Sequence, residues 1–198
     1  MSLLVVVLAG GDGLRMGGAK PLRRFGRSTL IEHALRLARG YGADIAISLK
    51  DPAQVAGADA RLIFDQPGLA GPLGGLAAGL ADARRTGAER VLVFACDMPL
   101  LPDDLARRLA ASLNANPRAR VAMASSGGKV HPACALWTAA CLERLPLYLA
   151  TGRSSLRGFA ETCGAAVVAW PAAAADPFAN ANTPDELAAL QAPRFALH

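Results

Sequence analysis

Aromatic residues make up only 5% of this 198-residue chain, so a surface for stacking nucleic-acid bases is not available. Charged residues are 19%, and the basic ones come in pairs such as Arg84/Arg85 and Arg107/Arg108 rather than in a run. The net charge of +5 therefore points to a small anionic ligand and not to nucleic acid. Long hydrophobic runs are missing as well. The longest, Leu3 to Ala9, falls far short of the roughly 20 apolar residues of a membrane-spanning helix, so no membrane partner is expected. No Lys or Arg precedes that run, which makes it a buried strand rather than a signal peptide and makes the cytoplasm the expected location. Cys96, Cys134, Cys141 and Cys163 form no CxxC pair, which argues against a metal ribbon or redox motif and suits buried free thiols. No linker, repeat or charge block divides the chain, and only Ala172 to Pro177 is of low complexity, so residues 1–198 read as one domain.

What is abundant is apolar sequence, 53% of the chain, enough to offset the entropy of ordering. Continuous apolar runs at residues 3–8, 43–48, 61–64, 91–95, 119–124 and 165–169 read as strands buried on both faces, the mark of a parallel sheet. Between them lie helical spacings: Leu30, Ala34, Leu35 and Ala38; Leu73, Leu76, Ala77 and Leu80; Leu105, Leu109 and Leu113. Leu145, Leu147 and Tyr148 read as core by the same spacing. Strand and helix alternate, which predicts an α/β fold: a three-layer α/β/α sandwich, Rossmann-like, with a mostly parallel central sheet. Helix starts are marked by Thr29 with Glu32, by Pro102 with Asp103 and Asp104, and by Thr183, Pro184 and Glu186, the last predicting a helix over 184–191.

The first predicted strand runs into LAGGDGLRMGGAK, residues 8–20. Its glycines free the backbone to approach a ligand, and Arg15 and Lys20 bring positive charge, a combination suited to a polyphosphate. A plain glycine-rich turn remains open. The dinucleotide fingerprint fails because Met16 stands where its third glycine belongs, and a Walker A loop fails because Lys20 follows Ala19 and precedes Pro21. Asp97 and Asp65 each follow an apolar strand, where a carboxylate faces the crevice at the strand ends; each could equally cap a turn. Asp97 there suits Mg²⁺, and Asp65 could accept hydrogen bonds from a guanine edge or a ribose. Asn180 and Asn182 could reach a metal or a phosphate, or could simply make a turn. His33 lies in a predicted helix and His198 is terminal, so His131 is the histidine with a candidate role, donating to an acceptor phosphate; a structural role is the alternative. Arg153 is a candidate for the same phosphate, or a surface arginine at a helix start.

LAGG followed by RMGGAK resembles the signature loop of nucleotidyltransferases, and most nearly that of the molybdenum cofactor guanylyltransferases. GPLGG (71–75), CDMP (96–99), His131 with Pro132, GRSSL (152–156) and NANTP (180–184) occur in the family's order, so the resemblance spans Leu8 to Leu187. It implies transfer of GMP from GTP to the terminal phosphate of molybdopterin by in-line displacement at the α-phosphorus, with Mg²⁺ as cofactor. It implies nucleotide contacts from Leu8, Ala9, Gly10, Gly11, Lys20 and Ser48, the last at a position where the family often has Asn. Asp65, Gly71, Pro72, Gly74 and Asp97 complete that set, with Asp97 also binding the metal. Arg15, Lys20 and Asp97 are the implied catalytic residues, and His131, Arg153, Ser154, Asn180 and Asn182 the acceptor contacts. Cofactor-synthesis and molybdoenzyme-chaperone proteins are implied as partners. Ala19 departs from the family, where an Asp is frequent, so whatever that Asp supplies is absent here. A cytidylyltransferase for the same cofactor, or a relative with another phosphorylated acceptor, keeps the chemistry; LAGG in place of LAAG favours guanine. A carrier that binds nucleotide or cofactor without catalysis is the alternative of another class, and Asp97 beside a phosphate loop argues against it.

Overall fold

The computed structural model describes residues 2–11, 18–55, 57–69, 71–171 and 175–191. The expected strands all form: β1 (Leu3–Leu8), β4 (Asp44–Leu49), β5 (Arg61–Phe64), β6 (Arg90–Ala95), β7 (Val121–Ser126) and β9 (Ala165–Trp170). Arg24–Phe25 and Ser28–Thr29 add a small separate hairpin, β2 and β3. One strand, β8 (Lys129–Thr138), departs from expectation. Pro132 breaks its pattern in the sequence, since proline cannot donate to a ladder. The structure accommodates it at a bulge: β7 pairs with β8 through Ala124–His131 and again through Met123–Ala135, and the register shifts between.

The seven-stranded sheet has the order β5-β4-β1-β6-β8-β7-β9, parallel throughout except for β8, which runs antiparallel to both neighbours. From β1 the chain moves to one side through helix α1 (Leu30–Tyr41), and from β5 it crosses to the other side through α2 (Pro72–Thr86). The carboxyl ends of β1 and β6 therefore flank the point where the strand order reverses, the crevice that ligands occupy in such sheets.

Alternation along β1 shows how the three layers form. Val5 and Val7 pack with Ile31, Leu35 and Ala38 of α1 and with Leu105, Leu109 and Leu113 of α3 (Leu105–Ala115). Leu4, Val6 and Leu8 pack against Leu73, Leu76 and Leu80 of α2. The same layer holds Leu145 and Tyr148 of α4 (Leu145–Ala150) and Leu156 and Phe159 of α5 (Leu156–Cys163). Each fully buried aliphatic side chain contributes about 1.5–3 kcal/mol of transfer free energy. Leu147, read as core from its spacing, is 72% exposed. At Gly79 a Cβ would sit 3.0 Å from Val6 Cγ2, so α2 lies close on the sheet.

Thr29 and Glu32 form the expected capping box on α1. Helix α6 (Pro184–Gln191) also starts as expected, with Thr183 Oγ1 accepting from Glu186 N at 3.2 Å. Its glutamate, however, accepts from the Asn182 amide. Asp104 stands before α3 without capping it; its Oδ1 accepts from Trp170 Nε1 at 2.9 Å, because a buried indole N–H needs an acceptor. The four thiols are free and buried. Among the described residues no helix is long and apolar enough to cross a membrane.

Candidate active site

A pocket of about 310 Å³ opens at the carboxyl edge of the sheet. Parallel strands bring their ends to one rim. Leu8, Ala9, Gly10 and Gly11 leave β1, Lys50 follows β4, Asp65 follows β5, and Ala95, Cys96 and Asp97 close β6. The amino end of α2 supplies Gly71, Pro72 and Gly75, and the 3-10 turn Lys20–Leu22 supplies Lys20 and Pro21. Gly71 adopts φ 62°, and Pro72 stands in the first turn without a side-chain cap. The helix thus presents its positive end to the pocket, favourable to an anion.

Close approach on one wall dictates glycine. A Cβ on Gly10 would lie 2.3 Å from Asp65 Oδ2, and one on Gly75 would lie 2.8 Å from Leu8 Cδ2 and 3.0 Å from Ser48 Oγ. Ser48 Oγ in turn donates to Asp65 Oδ1 at 2.6 Å, which fixes that carboxylate and leaves Oδ2 to accept from a ligand. Gly11 is different: among the described residues nothing lies within 4 Å of its Cβ position.

On the opposite wall, Lys20 Nζ donates to Asp97 Oδ2 and, at 2.9 Å, to Asn182 Oδ1. Asn180 Nδ2 donates to Asp97 Oδ1 at 3.1 Å. Lys20 and Asn180 thus meet on one carboxylate, and Asn182, 162 positions from Lys20 in sequence, joins the cluster through the lysine. Cys96 is no nucleophile here, since burial, reinforced by Asp97, pushes its thiol up to about 12.

The structure brings together Leu8, Ala9, Gly10, Gly11, Lys20, Asp65, Gly71, Pro72 and Asp97 around the pocket, with Ser48, Asn180 and Asn182 bonded to its walls. Gly74 is not in the lining; its Cβ position abuts the Leu69 and Gln66 carbonyls, so it seats the loop before α2. Gly75 lines the pocket instead, one helical turn after Gly71, a spacing that could have singled it out. Pro21, Lys50, Ala95 and Cys96 also line it without an individual signal. Arg15 lies outside the described residues. Arg153 and Ser154 are exposed and do not line the pocket; the Arg153 guanidinium sits 5.4 Å over the Tyr148 ring and 4.0 Å from Glu161. His131 is 4% exposed, bonded to Ser126 and stacked on Phe178, and it too is absent from the lining.

A glycine-edged pocket at the switch point of a parallel sheet, with a lysine and a carboxylate set together beside a helix amino end, defines a nucleotide-type site. The comparisons agree: the chain belongs to the MobA-like NTP transferase domain family, whose profile matches residues 5–181. It is 40% identical over 200 residues to a molybdenum cofactor guanylyltransferase of Rhodopseudomonas palustris, covering 97% of this chain and 93% of that protein. A molybdenum cofactor guanylyltransferase of Cereibacter sphaeroides is 38% identical over 190 residues, 95% of both chains. In fold the chain is similar to molybdopterin-guanine dinucleotide biosynthesis protein A of Archaeoglobus fulgidus, with TM-score 0.74, 22% identity, and 95% and 96% of the two chains covered.

Proposed function

We infer that this protein transfers GMP from GTP to the terminal phosphate of molybdopterin and releases pyrophosphate. The observation that carries the reading is the cluster beside the glycine-edged wall in which Lys20 and Asn180 bond Asp97 and Asn182 bonds Lys20, supported by the names of the relatives. An oxygen of the acceptor phosphate attacks the α-phosphorus, the new P–O bond forms, and the bond to the β-phosphate oxygen breaks with its electron pair leaving on pyrophosphate. The acceptor oxygen already bears charge, so no covalent protein nucleophile is needed, and positioning and charge neutralisation supply the acceleration.

An ammonium has three donors. Two of those on Lys20 are held by Asp97 and Asn182, and the third would donate to a phosphate oxygen. Arg15 would add charge to the leaving group. Asp65 Oδ2 would accept from the adjacent N–H donors of a guanine edge, an arrangement cytosine does not offer. Gly10 and Gly11 let the nucleotide approach the backbone. The acceptor phosphate would approach from the side of Lys20 and Asn182.

Among the described residues no cluster of three His, Cys, Asp or Glu forms a metal cage. A lone carboxylate still fits Mg²⁺, which takes few protein ligands and completes its shell with phosphate oxygens and water. Asp97 accepts one bond on each oxygen and so keeps acceptor capacity for the ion. When bound, Mg²⁺ would neutralise charge on the triphosphate.

The experiment is pyrophosphate release by the purified protein with molybdopterin, comparing GTP, CTP and ATP with and without Mg²⁺. Release with GTP is expected; release with CTP alone reassigns the base, and tight nucleotide binding without release points to a carrier. Asp97→Ala should lower kcat by roughly 10²-fold or more; full Mg²⁺-dependent activity in that variant would overturn the role given to Asp97.

A further inference from the structure

The segment that carries Asn180 and Asn182 is held from behind. Ser126 ends β7, and its Oγ donates to Asp176 Oδ1 at 2.6 Å across 50 positions of sequence. A hydroxyl has one proton, so the 2.9 Å contact between Ser126 Oγ and His131 Nε2 is an N–H of the ring donating to the hydroxyl. In the neutral ring the proton therefore sits on Nε2, and burial, opposed by Asp176 and aided by Lys129, lowers the pKa of the ring and so disfavours its protonation. The bulge in the β7–β8 pairing sets His131 opposite Ala124, two residues before Ser126.

From Asp176 the chain has little freedom. Asp176 Oδ1 also accepts the Phe178 amide at 2.9 Å. Phe178 is fully buried, stacked on the His131 ring at 5.0 Å and edge-on to Trp170 at 5.2 Å. Trp170 is itself held by Asp104 and covered by Arg108. Three residues after this peg, the Ala181 amide donates to Asp97 O at 2.9 Å, and the two asparagines fall into register with Asp97 and Lys20.

We propose that Ser126, His131 and Asp176 are positioning residues, a latch that sets Asn180 and Asn182 against Lys20 and Asp97. None of the three lines the pocket, so they act through the asparagines. The kinetic part of this inference rests on the transfer reading above; the structural part does not.

The test uses Asp176→Ala, Ser126→Ala and Ser126→Thr in the full chain. Amide exchange at Ala181 should accelerate about tenfold or more in the two alanine variants and stay slow in Ser126→Thr, which keeps the hydroxyl. Exchange at Ala9 and Cys96, whose amides bond Ser48 O and Leu8 O, should not change and reports that the sheet is intact. Asp176 is 39% exposed and its truncation opens no core cavity, so it carries the test if Ser126→Ala unfolds.

In turnover, kcat should fall roughly 10²-fold while the KM for GTP stays within about twofold, because the base-side wall is untouched. In a background already carrying Asn180→Ala and Asn182→Ala, Asp176→Ala should add less than about twofold. Wild-type exchange at Ala181, an unchanged kcat, or a loss that persists at full size in that background each overturns the latch. Absence of pyrophosphate release from GTP by the wild type would sink the transfer reading alone, and exchange at Ala181 would still decide the latch.

Discussion

At Gly10 the pocket wall leaves no room for a methyl group, and at Gly11 none of the described residues stands in its way. The difference separates two reasons for glycine, contact with the protein itself and space for a ligand. Gly10→Ala should push Asp65 off Ser48 and weaken GTP binding by about 10–100-fold, the worth of a charged hydrogen bond. Gly11→Ala should melt with the wild type, so any loss of GTP affinity it shows in a titration reports the nucleotide occupying that space. Asp65 and Asp97 are legible in the sequence because each follows an apolar strand, and strand ends in a parallel sheet share a rim. Ser126 and Asp176 have no such local mark: their meaning depends on a bond spanning 50 positions. His131 is visible as a rare residue, yet its burial and its partners are not.

Among the elements, α1 is specified almost wholly by local chemistry. Thr29→Ala removes one half of its capping box and should cost about 1 kcal/mol, which calorimetry would read as a melting point lower by roughly 2–4 °C. A drop no larger than that of a surface control would show that packing of Ile31, Leu35 and Ala38 alone sets this helix. Helix α3 shows the limit of such local signals, since Asp104 sits at the cap position and is claimed instead by Trp170 from a distant strand. Strand β8 shows another limit. Pro132 argues against a strand until the bulge that accommodates it is known, and a bulge is a property of two strands paired, not of one read alone.

For the molecule as a whole, two histidines tie stability to acidity. Burial lowers the pKa of both His33 and His131 below the ordinary 6.5, with Arg36 and Lys129 respectively adding to the shift and Pro99 O and Asp176 opposing it. The unfolded chain then binds protons that the folded one refuses, so their contribution is complete above pH 6.5 and is lost as pH falls below it. The melting temperature should decline between about pH 7 and pH 5, and the double variant His33→Gln with His131→Gln should decline less steeply. A pH-independent melting point would show that neither ring is held neutral by the fold. The sheet order also has a consequence in time. Lys20 and Asn182 stand 162 positions apart, and at 5–20 residues per second a ribosome needs roughly 8–30 s to make the stretch between them. The glycine-edged wall can form while the chain is still growing, but the polar cluster on Asp97 cannot. A nascent or prematurely terminated chain can therefore hold a nucleotide-shaped cleft without the means to use it, and competence for reaction becomes a certificate that translation has run past Asn182.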